Sequence, residues 1–318
     1  MSAVDQQPSG TTPERALGYP DIVLPGAARS GTSFLAARLS SHPSIDGGAV
    51  KEPDYFSKHL ARGAGWYDGL FEPRRDGLLR LDASMSYTVP QHPHALDRLA
   101  EAAPHAYIIY AVRDPLVRAV SHYRLLHEYF HSEKQGDFGA AIGSNQVYLG
   151  TSDYSRWLPD LYARWPRERV LVAPFEVTTR GNELPDFIFD QLGLERVVLD
   201  AETAGRHKNE VVTFRSDALL RFRKKVRRSG AYPFVRRTLG PHRMRAIRAR
   251  VTRRADTLSP EQALESCSPE QRDEIMAMVE RAKAAVSAAL IEQDARHGLD
   301  WNSAWLRAFE DPDSSDAA

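Results

Sequence analysis

The sequence predicts an α/β fold, a three-layer structure in which a parallel sheet is flanked by helices and carries a phosphate loop after its first strand. Three observations carry this. Short apolar runs alternate with helical patterns along the chain, as a parallel sheet wrapped by crossover helices requires. The first run, at residues 21–24, opens into Pro25-Gly26-Ala27-Ala28-Arg29-Ser30-Gly31-Thr32-Ser33, a glycine-spaced loop that flows into a helical pattern. A later run, at residues 105–112, ends in Arg113-Asp114-Pro115 and again gives way to a helix.

Taken in order, Ile22, Val23 and Leu24 form an uninterrupted apolar run and read as a buried strand. The helix that follows begins near Thr32 and closes at Pro43, which has no N–H to continue it. Residues 78–81, 105–112 and 169–173 are the remaining strand-like runs. Asp114 stands where a helix cap belongs, and Pro115 at the first helical position suits its fixed φ. Residues 183–192 place Leu184, Phe187, Ile188 and Leu192 on one stripe ended by Gly193, the pattern of a helix covering a sheet. Residues 256–299 carry Ile275, Met278, Val279, Ala282 and Val286 at helical spacing and read as core cover.

The 318 residues suffice for one large domain, expected at 19–305. Residues 1–18 and 306–318 are expected to be disordered tails, because their polar composition buries too little apolar surface. Residues 221–254 form a basic stretch broken by Gly230, Pro233, Gly240 and Pro241. It reads as a solvated helical insertion or as a lid over an anionic acceptor. Lysine plus arginine equal aspartate plus glutamate at 42 each, so no overall field draws nucleic acid or an anionic membrane. The single cysteine, Cys267, excludes an internal disulfide and fits a reducing compartment. No run of about 18 apolar residues offers a transmembrane segment, and a cytoplasmic protein is expected. The abundance of alanine and arginine points to a bacterial genome rich in GC.

The loop is a phosphate cradle. Gly26 and Gly31 let the backbone turn tightly, so that successive N–H groups and the positive end of the next helix converge on an anion. A nucleotide triphosphatase loop has lysine immediately after its second glycine. Here Thr32 takes that place, and the loop's cation is Arg29, two residues before Gly31. That displacement argues against ordinary ATP or GTP hydrolysis.

The run Arg29-Ser30-Gly31-Thr32-Ser33 resembles the 5′-phosphosulfate loop of sulfotransferases that use 3′-phosphoadenosine 5′-phosphosulfate (PAPS), with arginine where that family usually has lysine. Arg113-Asp114-Pro115-Leu116-Val117-Arg118-Ala119-Val120-Ser121-His122-Tyr123 is similar to the family's 3′-phosphate motif. The resemblance spans about residues 19–210 and implies the P-loop-like sulfotransferase fold. It implies that Arg29 and Ser30 to Ser33 hold the 5′-phosphosulfate, through backbone N–H groups from Gly31 to Ser33 and the hydroxyls of Thr32 and Ser33, while Arg113 and Ser121 grip the 3′-phosphate. An arginine fork is suited to that contact. Arg29 is then the group that neutralises charge on the leaving phosphate, with no metal required. Lys208, in a late basic segment, is a further candidate for the cofactor.

Lys51-Glu52-Pro53-Asp54-Tyr55-Phe56 resembles the K-E-P-x-[FY]-F segment of glycan-type, heparan sulfate sulfotransferase-like enzymes. There the glutamate is the proposed base, so Glu52 is the catalytic candidate and Lys51 its neighbour on the sulfuryl oxygens or the acceptor. Asp82-Ala83-Ser84-Met85-Ser86-Tyr87 is similar to the family's [EK]-x-S-P-x-Y segment, with Met85 in place of proline and Ala83 where some members have an acceptor-binding lysine. Gly65-Trp66-Tyr67 resembles its W-Y element. The expected partner is a small-molecule or glycan acceptor with a hydroxyl or amine, such as a carbohydrate, glycolipid or natural product. Two rival readings stay open: a kinase or triphosphatase using Asp82 or Asp114 for magnesium, and a protein that binds the nucleotide without turnover.

Overall fold

The computed structural model describes residues 19–197, 212–214, 252–254 and 258–310. The chain divides into two compact units, Met1–Val112 with Ser155–Leu199 and Ala285–Ala318, and Arg113–Tyr154 with Asp200–Ala284. The expected tails at 1–18 and 311–318, Lys208 and nearly all of the basic stretch 221–254 lie outside the described residues. Within that stretch Thr252–Arg254 is described as a strand, paired antiparallel with Val212–Phe214.

The first unit is built on a parallel sheet of five strands, β1 (Ile22–Gly26), β2 (Ile45–Asp46), β3 (Leu79–Asp82), β4 (Tyr107–Val112) and β5 (Val170–Pro174), in the order β2-β3-β1-β4-β5. Every residue of β1, β4 and β5 is buried, which is why these runs are continuously apolar rather than alternating. The central position of β1 sets the site. Ile22 lies opposite Leu81 on one side and Tyr107 on the other, and the register slips between Val23 and Gly26 as the strand turns into the loop. Loops leaving the carboxyl ends of central strands in an open α/β sheet are where ligands gather.

Helices flank the sheet. Thr32–Leu39 follows β1 and buries Leu35, Ala36 and Leu39. Glu183–Gln191 buries Leu184, Ile188 and Phe189, while the expected stripe member Phe187 is half-buried and packs edge-on against Trp301. The edge strand β5 is closed by Gln293, whose side chain donates to the Val172 carbonyl at 3.0 Å and accepts from its N–H at 2.8 Å. A side-chain amide there imitates a neighbouring strand and blunts the edge. The last helix, Trp301–Glu310, continues through 306–310, which the sequence assigned to the tail, because Trp305 is fully buried.

In the second unit, Pro115–Arg124 is capped by Asp114, whose Oδ1 accepts from the Val117 N–H at 2.8 Å, with proline at its start as the sequence predicts. Phe138–Ser144 and Val147–Ser152 pack with it. Gly139 is required by close approach, since a Cβ there would stand 2.2 Å from the Ser266 carbonyl oxygen. Residues 256–299 do not form one continuous helix: Pro260–Glu265 opens with a capping box at Ser259, and Pro269–His297 follows after a short break. Among the described residues no helix is long and apolar enough to cross a membrane.

Candidate functional site

The phosphate cradle is built as its glycines require. Gly31 sits in the left-handed region at φ 82 and is the N-cap of Thr32–Leu39 without a side chain to close the helix end. The first N–H groups of such a helix have no partner within it, and here no side-chain cap takes them, so they are available to an anion. Arg29 also has positive φ, at 75. A non-glycine residue held there is strained by about 1–3 kcal/mol, a cost that collects at functional loops. Ser30 is fully buried, and its Oγ finds no hydrogen-bond partner among the described residues. A buried hydroxyl without a partner, beside a helix N-terminus that no side chain caps, is a donor set that fits a phosphate or sulfate oxygen.

Thr32 and Ser33 diverge. Thr32 is buried and donates from Oγ1 to Met85 Sδ at 2.6 Å, so its hydroxyl is turned into the protein and its contribution to the cradle is its backbone. Met85 is the residue that replaces the proline of the resembling segment. Proline has no side-chain acceptor, whereas a thioether has one. Ser33 Oγ instead accepts from Lys51 Nζ at 2.8 Å, and the same ammonium donates to Glu52 Oε1 at 2.7 Å. The adjacent Lys51 and Glu52 are therefore clustered with the cradle helix, 18 residues back at Ser33. Glu52 remains 43% exposed.

What holds this loop is a network the sequence reading missed. The Asp54 N–H, two residues past Glu52, donates to Ser84 Oγ at 2.9 Å, and Ser84 Oγ donates to Asp82 Oδ1 at 2.5 Å. Asp82 is fully buried, and its other oxygen accepts from Tyr67 at 2.7 Å and Tyr87 at 2.8 Å. Burial pushes the Asp82 carboxyl above the ordinary range, against the pull of these hydrogen bonds. Asp54 adopts φ 52 and accepts from Ser86 Oγ at 2.6 Å. The tyrosine of the W-Y element is thus a core hydrogen-bond donor. The signal was present in two aligned pieces, Trp66-Tyr67 and Ser84 to Tyr87, but nothing in a linear pattern says that both reach one carboxylate.

The magnesium candidates have other work. Asp82 is enclosed by its four donors, the Ser84 N–H among them, and Asp114 caps its helix. No group of three or more histidine, cysteine, aspartate or glutamate side chains is arranged for a metal among the described residues.

In the second unit, Arg113 and Ser121 are both half-buried, at the entrance and in the second turn of Pro115–Arg124. The Arg113 backbone is held by Tyr154, whose hydroxyl accepts from its N–H at 3.1 Å and donates to its carbonyl oxygen at 2.9 Å. Lys208 lies outside the described residues.

Residues 54–183 match the sequence model of a family described as the sulfotransferase family. The match covers less than half of the chain. The chain is 32% identical over 105 residues to heparan sulfate glucosamine 3-O-sulfotransferase 6 of Mus musculus, covering 33% of this chain and 30% of that protein. It is 29% identical over 194 residues to the 3A1 enzyme of the same series from Mus musculus, covering 57% of this chain and 47% of that one. The chain thus spans less than half the length of either relative. A sulfotransferase crystal structure from Alicyclobacillus acidocaldarius shares the fold at a TM-score of 0.51 and 24% identity, over 61% of this chain and 88% of that one.

Proposed function

We propose that this protein is a sulfotransferase that moves a sulfuryl group from PAPS to a hydroxyl or amine of a carbohydrate, glycolipid or natural-product acceptor, with no metal required. The observation that carries this reading is the Ser33–Lys51–Glu52 cluster, which brings a carboxylate to the mouth of the phosphate cradle. PAPS, when bound, supplies an activated sulfuryl group on a phosphate leaving group.

The N–H groups at Gly31 to Ser33 and the buried Ser30 hydroxyl hold the 5′-phosphosulfate. Arg29, a permanent cation, offsets charge on the leaving phosphate oxygen. Arg113 and Ser121 take the 3′-phosphate, the group that separates this donor from ATP. Glu52 accepts the acceptor's proton as its oxygen or nitrogen attacks in line, and Lys51 orients that carboxylate while facing the sulfuryl oxygens. A base held in this way contributes about 10²–10⁴-fold to rate.

The test is the release of adenosine 3′,5′-bisphosphate from PAPS across a panel of carbohydrate and aromatic acceptors, with Glu52→Gln as the control. Acceptor-dependent release that falls by about 10²-fold or more in the variant is expected. Full activity in Glu52→Gln would remove the carboxylate from the mechanism.

A further inference from the structure

Tyr154 does more than fill space beside the residue assigned to the 3′-phosphate. Its ring is fully buried, and a phenylalanine would fill the same volume. The hydroxyl instead engages one backbone residue from both sides, accepting from the Arg113 N–H at 3.1 Å and donating to the Arg113 carbonyl oxygen at 2.9 Å. A phenol offers one donor and acceptor lone pairs, so this single group fixes both peptide planes that flank the Arg113 Cα. The direction in which the arginine side chain leaves the backbone is thereby set.

The same stretch holds the following helix. Arg118 is fully buried on Pro115–Arg124, donating from Nε to Ser152 Oγ at 2.5 Å and from its NH2 group to the Tyr148 carbonyl. Ser152 Oγ in turn donates to the Pro115 carbonyl at 2.7 Å. Tyr148, Ser152 and Tyr154 therefore form a bracket that seats the whole motif from Arg113 to Ser121. Groups that grip a ligand need to be held within about 0.5 Å of their working geometry by neighbours that are themselves locked.

We propose that Tyr154 is a positioning residue for 3′-phosphate recognition, acting through the backbone of Arg113, with Ser152 and Arg118 completing the bracket. The inference rests on the PAPS reading above. Tyr154 touches no reacting atom in this account; it sets where the arginine fork points, and so sets the preference for a 3′-phosphorylated nucleotide.

The experiment is calorimetric titration of adenosine 3′,5′-bisphosphate and of AMP into the full chain and into Tyr154→Phe, with melting temperatures taken alongside. The variant is expected to lose about tenfold in affinity for the bisphosphate, equivalent to about 1.4 kcal/mol, with AMP affinity unchanged. Tyr148→Phe is the control, because the Tyr148 hydroxyl donates to Glu133 at 2.7 Å, away from Arg113; it is expected to keep the preference. Ser152→Ala provides a second route should Tyr154→Phe fold poorly, with a smaller loss of the same preference. Equal weakening of both nucleotides, or an unchanged preference in Tyr154→Phe and Ser152→Ala against a selective parent protein, overturns the positioning role alone. A parent protein that binds both nucleotides equally overturns the donor reading and the positioning role together.

Discussion

Lys51 Nζ stands 2.8 Å from Ser33 Oγ and 2.7 Å from Glu52 Oε1, so one ammonium ties the first turn of the cradle helix to the proposed base. Lys51→Met keeps the stem and removes that tie. Because a displacement of about 1 Å at a reacting group costs on the order of 10²-fold, turnover is expected to fall by about that factor while affinity for adenosine 3′,5′-bisphosphate changes little. Single-turnover rates and equilibrium titration of the same variant separate the two effects. A loss confined to nucleotide affinity would mean that Lys51 is a binding residue with no hold on Glu52.

Gly31 is the position where the cradle depends on a missing side chain. A Cβ there would lie 3.2 Å from the Thr178 methyl and 3.3 Å from the Phe175 ring, at a φ of 82 that side chains rarely adopt. Gly31→Ala is expected to cost about 1–3 kcal/mol of stability, read as a lower urea midpoint with an unchanged slope. An unaltered midpoint would show that the loop relaxes freely and is not held in its binding form.

Asp82 makes a prediction about pH. Burial holds its carboxyl above the ordinary range, so the folded protein binds that proton more tightly than the unfolded chain. Folding then takes up a proton in the acid range, and the Asp82 contribution to stability falls as pH climbs from the ordinary carboxyl value through the raised one. Asp82→Asn removes this titration and replaces an acceptor facing Ser84 or the tyrosines with a donor, at a cost of about 1–3 kcal/mol. The stability gap between parent and variant is expected to be widest at acid pH and to narrow as pH rises. A gap that widens with pH would show that the hydrogen bonds outweigh burial and that the carboxyl is depressed instead.

Much of the architecture was legible in the sequence because its causes are local. Continuous apolar runs predicted β1, β4 and β5, since a strand buried on both faces has no polar alternation to conceal it, while β3 was readable from its leucines although Arg80 and Asp82 alternate with them. Asp114 and Pro115 marked a helix start through chemistry confined to adjacent residues. β2, with two residues, is too short for any periodicity. The break between Pro260–Glu265 and Pro269–His297 was signalled by Ser266, Cys267, Ser268 and Pro269, but the apolar spacing across it masked the interruption.

At the site, the residues that share a loop were readable and their partners were not. Gly26, Gly31 and Arg29 act through backbone geometry that the spacing announces. That Thr32 turns to Met85, that Lys51 reaches Ser33 and that Tyr154 holds Arg113 are contacts between residues 53, 18 and 41 positions apart. Those separations are set by the register of the sheet and the packing of helices, which no linear pattern encodes.

The central claim is that the protein selects a 3′-phosphorylated nucleotide without a metal. Melting temperature measured with adenosine 3′,5′-bisphosphate, ADP and ATP, each with and without magnesium, tests it most directly, because a ligand that binds the native state raises the transition by mass action. The account predicts a shift with the bisphosphate that is larger than with ADP or ATP and indifferent to magnesium. Stabilisation by ATP with magnesium, and none by the bisphosphate, would contradict it.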